Sequence, residues 1–140
     1  MNGAEMIRLL IVEDQPGVRQ GLHMLMDAES DLSVIGEAAD GKAALDLATS
    51  LRPDVVLMDV EMPRMDGIAA TSALRLSQPR AAVIMLSIHD DALTLARARD
   101  VGAAAFVAKS APADILLTTI RRVAHLSGSR PIVPACQTNS

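Results

Sequence analysis

Val55-Val56-Leu57-Met58-Asp59, running into Val60-Glu61-Met62-Pro63-Arg64-Met65-Asp66-Gly67, is the stretch that decides the fold. Four apolar residues in a row, with Pro53 before them and a loop bearing Pro and Gly after, read as a short strand buried on both faces. Its last residue is a carboxylate. A second strand of the same kind, Ile7-Arg8-Leu9-Leu10-Ile11-Val12, closes on Glu13-Asp14. If the two strands are parallel neighbours, three carboxylates converge at one edge of a sheet. Crowded carboxylates repel, and each ionised one costs more as it loses water. A hard divalent cation is their natural partner, and oxygen-only ligands point to Mg²⁺.

Outward from these strands, short apolar runs alternate with stretches of helical periodicity. A helix is expected from about Pro16 to Asp27, with Pro16 in its first turn and Val18, Leu22, Leu25 and Met26 on one face. The second strand spans Leu32 to Ala38, and Asp40 caps a helix that opens at Gly41 and reaches about Leu51. The third helix runs from Gly67 to about Ser77, where Gln78-Pro79 stops it. A fourth strand covers Ala82 to Leu86 and ends at Ser87, followed by a helix over Asp90 to Val101 with Gly102 as its breaker. Ala104 to Ala108 forms the fifth strand and Pro112 to His125 the fifth helix. Five βα units with short connections predict a parallel sheet covered by helices on both faces.

Length and composition bound the function. The 140 residues suit one domain, and 50% hydrophobic with 21% charged residues is globular. A net charge of -4 argues against direct nucleic-acid binding, and a single aromatic residue, Phe106, provides no stacking platform for bases. No apolar run spans a membrane, and Met1-Asn2-Gly3-Ala4-Glu5 does not read as a signal peptide. The lone Cys136 lies in a polar tail and cannot form an internal disulfide, which fits a cytoplasmic location.

In sheets of this type ligands bind beyond the carboxyl ends of the strands. Four of those ends carry Glu13-Asp14, Asp59, Ser87 and Lys109. Three carboxylates, a hydroxyl and an ammonium are the equipment for phosphoryl transfer to an aspartate. Asp59 is the nucleophile, Mg²⁺ held by Asp14 and Asp59 neutralises phosphoryl oxygens, and Lys109 adds positive charge. Ser87 can hydrogen-bond an attached phosphoryl group. No general base is needed, since Asp59 is expected to be ionised already at neutral pH.

Glu13-Asp14, Asp59 with Met62-Pro63 and Asp66-Gly67, Ser87, Phe106 and Lys109 together resemble the receiver domain of bacterial response regulators. The likeness covers about residues 6–126, and its ordered set of strand-end residues is specific. It implies a flavodoxin-like (βα)5 sheet of order 2-1-3-4-5 and phosphorylation of Asp59 by a sensor histidine kinase. It implies Mg²⁺ held by Asp14, Asp59 and the backbone carbonyl of Glu61, with Glu13 acting largely through water and Lys109 on the phosphoryl group. In the implied switch, Ser87 moves toward the phosphoryl group and the Phe106 ring fills the vacated space. The face of the fourth helix, fifth strand and fifth helix then changes.

Leu86-Ser87-Ile88-His89-Asp90-Asp91 and Lys109-Ser110-Ala111-Pro112 look like the LuxR/NarL-type subgroup. Members of that subgroup usually dimerise and contact DNA through a following helix-turn-helix domain. The expected division is a receiver over 1–126 and a tail or linker start over 127–140, with any output domain outside this chain. Two features depart from the common pattern. Ser110-Ala111 separates Lys109 from Pro112, and the bulky Ile88 follows Ser87, where it would narrow access for small phosphodonors.

Blander readings stand beside these. Glu13-Asp14 could be a solvated turn, Asp59 a cap, Ser87 a strand-end hydroxyl and Lys109 a surface lysine; the set taken together speaks against each. Glu61 and His89, two positions beyond Asp59 and Ser87, either tune phosphoryl lifetime or are plain loop residues. Arg121-Arg122 reads as a solvated face, Ile115, Leu116, Ile120 and Val123 as core, and Leu117 as a hint of a partner surface. His23, His89 and His125 show no zinc spacing. A haloacid-dehalogenase-like phosphatase would place a second Asp where Glu61 stands. A flavin or dinucleotide site would need a cradle that Glu13-Asp14-Gln15-Pro16 lacks. The remaining alternative is a stand-alone or constitutive interaction module that is never phosphorylated.

Overall fold

The computed structural model describes residues 6–62, 65–89 and 91–128, with the last turn of the final helix described by its backbone alone. The expectations for Met1 to Glu5, Pro63, Arg64, Asp90 and Cys136 lie outside the described residues.

Five strands form one parallel sheet: β1 Ile7–Val12, β2 Leu32–Ala38, β3 Val55–Asp59, β4 Ala82–Ser87 and β5 Ala105–Ala108. Their order is β2-β1-β3-β4-β5, the flavodoxin-like order expected. The chain reverses direction across the sheet after β2. This leaves β1 and β3 adjacent at the point where ligands bind in such folds. Helices α1 Pro16–Asp27, α2 Gly41–Leu51, α3 Gly67–Ser77, α4 Ala92–Asp100 and α5 Ala113–Gly128 connect and cover the strands.

The core lies in two layers, one on each side of the sheet. Leu10, Val12, Val56, Met58, Val83 and Met85 pack toward α2, α3 and α4. Leu9, Ile11, Val55, Leu57 and Ile84 pack toward Met26 of α1 and Leu116, Ile120 and Val123 of α5. Successive strand residues alternate between the layers, so both faces are dry, and each fully buried Leu or Ile contributes about 1.5–3 kcal/mol.

Caps set the helix starts. Asp40, Asp66 and Asp91 each accept a backbone N–H three residues on, at 2.9, 2.8 and 2.8 Å. Asp91 therefore starts α4 at Ala92, two residues after the expected Asp90. Helix α5 begins at Ala113, with the Pro112 carbonyl accepting from Ile115 at 3.0 Å, and continues past His125 to Gly128.

The helix faces differ in detail from expectation. Val18 is 38% exposed, and Arg19 takes the inward position at that turn of α1, in helical register with Leu22 and Met26. In α5, Ile115 is 48% exposed while Leu117 packs on the core layer. Both stripe and flank follow from Leu116, Ile120 and Val123, spaced by four and three, which rotate Ile115 outward. Arg121 is not simply solvated: its guanidinium grips Asp31 with Nε and Nη2 at 2.8 Å each and reaches Glu29 at 2.7 Å.

Candidate functional site

The strand ends gather Glu13 and Asp14, Asp59, Ser87 and Lys109 at one edge of the sheet. Backbone bonds tie these ends together. The Glu13 N–H donates to Ala38 O at 3.0 Å, Val60 N–H to Leu86 O at 2.9 Å and Lys109 N–H to Ser87 O at 2.8 Å. Because the strands are parallel, their carboxyl ends are level, and residues far apart in sequence share a rim.

Glu13, Asp14 and Asp59 each offer a carboxylate oxygen within 4.8 Å of the others. Glu13 and Asp59 are buried and Asp14 is half-buried. Lys109 Nζ lies 3.0 Å from Glu13 Oε1 and 3.0 Å from Asp59 Oδ1. The contact with Glu13 Oε1 is an ion pair without hydrogen-bond alignment, so that buried oxygen keeps an unfilled lone pair. The other Glu13 oxygen accepts the Gln15 N–H at 3.2 Å, and Asp59 Oδ1 also accepts the Glu61 N–H at 3.1 Å.

Burial, and after it the Glu13 charge, push the Asp59 carboxyl up to about 7, against the opposing pull of Lys109 and the Glu61 N–H. Against the expectation that Asp59 is simply ionised at neutral pH, burial and the Glu13 charge favour its protonated form in the metal-free site, where one ammonium faces two buried carboxylates. Burial works to lower the Lys109 ammonium, but its close contacts with the Glu13 and Asp59 carboxylates overcome it and hold the group above its ordinary value.

Ser87 is buried, and its hydroxyl donates to Glu61 Oε2 at 2.7 Å while accepting the His89 N–H at 2.9 Å. Glu61 thus reaches the site twice, through its N–H to Asp59 and its side chain to Ser87. Phe106, opposite Met85 in the β4–β5 ladder, packs half-buried on the layer beneath α3 and α4. Ile88 stands 68% exposed.

Gly67 fits because it has no side chain: a Cβ there would lie 2.1 Å from the Asp59 carbonyl oxygen. The loop from β3 is drawn back over the strand end at this point, with the Gly67 N–H donating to Val60 O at 3.0 Å.

Two residues beside the site were not singled out from sequence. Arg19 donates from Nη1 to the Glu13 carbonyl at 2.7 Å, and its Nε lies 3.3 Å from Glu37 Oε1. The readable signal was a charged residue in register with the apolar stripe of α1. An open groove lined by Pro16, Arg19, Gln20, His23, Met24 and Glu37 lies on the outer flank of α1, not over the carboxylates.

The donor set fits Mg²⁺. Three carboxylates converge, the buried Glu13 Oε1 among them lacks a hydrogen bond, and the ammonium present leaves negative charge uncompensated. Among the described residues no other cluster of three such groups occurs, and no helix is long and apolar enough to cross a membrane.

Residues 9–121 match the response regulator receiver domain family. The response regulator GacA of Pseudomonas aeruginosa is 40% identical over 130 residues, 92% of this chain and 59% of that one. A LuxR-family two-component response regulator from Aurantimonas sp. SI85-9A1 superposes with a TM-score of 0.83 at 30% identity, covering 94% of this chain and 92% of that structure. CheY in a CheX-CheY-BeF3-Mg²⁺ complex from Borrelia burgdorferi is similar with a TM-score of 0.78 at 27% identity, over 84% of this chain and 88% of that one. The chain spans 50% to 59% of the length of curated relatives such as the transcriptional regulators LnrK of Bacillus subtilis and DegU of Brevibacillus brevis, and GacA. On sequence and fold alike, this chain belongs to the response regulator receiver domain family.

Proposed function

We propose that this receiver accepts a phosphoryl group on Asp59 from a phosphohistidine of a sensor kinase. The observation that carries the reading is the buried Asp59 carboxylate held 3.0 Å from Lys109 Nζ beside Glu13 and Asp14. In the transfer an Asp59 oxygen bonds to phosphorus as the phosphorus–nitrogen bond to the donor imidazole breaks, and the imidazole keeps the electron pair. Lys109 and the Glu61 N–H both lie on Oδ1, which leaves Oδ2 to attack. Asp14, Asp59 and the Glu61 carbonyl would hold Mg²⁺, with Glu13 one shell further out. When bound, the metal supplies charge neutralisation at the transferring group.

Lys109 is placed to follow the charge onto the phosphoryl oxygens. Ser87 has one hydroxyl proton, now given to Glu61, and turning it to the phosphoryl group requires that contact to break. Two negative groups cannot share that donor, so Glu61 is displaced. Phe106 then moves into the space Ser87 leaves, and the face of α4, β5 and α5 changes. A second copy of this chain binds that changed face. DNA is reached only through an output domain of the kind present in its transcriptional relatives. Self-catalysed loss of the phosphoryl group ends the signal.

The test is intact mass after incubation with acetyl phosphate and Mg²⁺, beside Asp59→Asn. A gain of one phosphoryl group that needs Mg²⁺ and disappears in the variant is expected. Absence of an adduct with acetyl phosphate, with a kinase donor and with beryllofluoride would instead leave a constitutive interaction module.

A further inference from the structure

Arg19 sits outside the set of strand-end residues, yet it is the only side chain among the described residues seen to donate to the backbone of the acidic turn. Its fork joins two strand ends. Nη1 holds the Glu13 carbonyl at 2.7 Å, and Nε faces Glu37 Oε1 of β2 at 3.3 Å. Glu37 is in turn engaged by His23 Nδ1, whose other nitrogen lies 3.4 Å from Asp27. Arg19 therefore comes to the turn already aligned by a carboxylate on the neighbouring strand.

The Glu13–Asp14 peptide lies just beyond the last paired residue of β1, Val12, and the peptide before it is tied to β2 by the Glu13 N–H on Ala38 O. A change of ψ at Glu13, which the Arg19 contact on the Glu13 carbonyl opposes, would carry Asp14 away from Glu13, whose own carboxylate is also held by the Gln15 N–H and Lys109. From this geometry we infer that Arg19, braced by Glu37, is a positioning residue that sets the aim of Asp14 relative to Glu13 at the Mg²⁺ site. The inference rests on the reading of Glu13, Asp14 and Asp59 as that site.

The sign of the effect separates positioning from simple charge. Arg19 is a cation near a cation site, so by Coulomb repulsion alone its removal strengthens Mg²⁺ binding. Loss of aim weakens it. Groups that orient metal ligands from one shell out typically change affinity by about 10–100-fold when removed.

The experiment is Mg²⁺ titration of the full chain by calorimetry, with melting in EDTA measured in parallel, for wild type, Arg19→Gln, Arg19→Lys and Glu37→Gln. Expected are about tenfold weaker binding in Arg19→Gln and a smaller loss in Arg19→Lys, which keeps the charge but not the fork. Glu37→Gln should be intermediate and add little to Arg19→Gln in the double variant. Tighter or unchanged binding in Arg19→Gln overturns the inference, as does a lowered melting point with unchanged Mg²⁺ affinity. If Arg19→Gln does not fold, Arg19→Lys decides by the same criterion. Failure of wild type itself to bind Mg²⁺ would sink the metal site and not this role alone.

Discussion

Asp59 sits among opposed forces whose balance depends on pH. Its carboxyl is pushed from the ordinary 3.8 up to about 7, by burial first and then by Glu13. Between those values the folded protein holds a proton that the unfolded chain has released. Stability of the metal-free protein from this group therefore falls as pH rises from about 4 to about 7, and the loss is complete above that. Asp59→Asn removes the effect. It should raise the melting temperature in EDTA by several degrees at pH 8, corresponding to about 1–3 kcal/mol, and by little at pH 4. Millimolar Mg²⁺ should close the gap by stabilising wild type alone. Scanning calorimetry at the two pH values checks this, and a gap that does not change with pH would refute it. That Asp59, Lys109 and Glu13 belong together was legible from their places at strand ends. The upward push on its carboxyl was not, because it depends on how deeply the neighbouring segments bury one carboxylate.

Elements begin and end here on local chemistry, which is why their bounds could be read from sequence. Pro16 at the start of α1, Asp40 before α2 and Gly102, at a φ of +92°, after α4 act within a few residues of themselves. Arg52 closes α2 at a φ of +52° and carried no such signal, since a non-glycine residue enters that region only when tertiary contacts hold it. Its carbonyl accepts from Arg8 at 2.7 Å, a contact across 44 residues. Gly67 and Gly21 give an element-scale test. A Cβ at Gly67 meets the Asp59 carbonyl, while at Gly21 it meets nothing within 4 Å. Gly67→Ala should cost about 2–4 kcal/mol and weaken Mg²⁺ binding, and Gly21→Ala should stabilise by about 0.5–1 kcal/mol through helix propensity. Urea unfolding of both variants measures the contrast. Equal shifts would mean the loop relaxes freely away from the strand.

At the scale of the molecule, Arg121 ties α5 to the turn between α1 and β2, bridging positions 90 and 92 residues apart. Its contact holds the Asp31 carboxyl below the usual range, so this contribution is present above about pH 4 and lost as pH falls through the depressed value. Arg121→Gln should destabilise by about 1 kcal/mol or less at neutral pH, because the partners are partly exposed and screened. The difference should shrink in 1 M salt and below pH 4. A difference insensitive to both would mean the side chain acts by packing. By itself the sequence determined the five βα units, the buried strands and the row of Glu13, Asp14, Asp59, Ser87 and Lys109, because hydrophobic period, caps and strand-end chemistry are local properties. Only the tertiary structure decided that Glu61 occupies the Ser87 hydroxyl, that Arg19 holds the Glu13 carbonyl and that Leu117 faces inward while Ile115 does not. Those outcomes rest on distances and rotations between segments far apart in the chain, which no local pattern encodes.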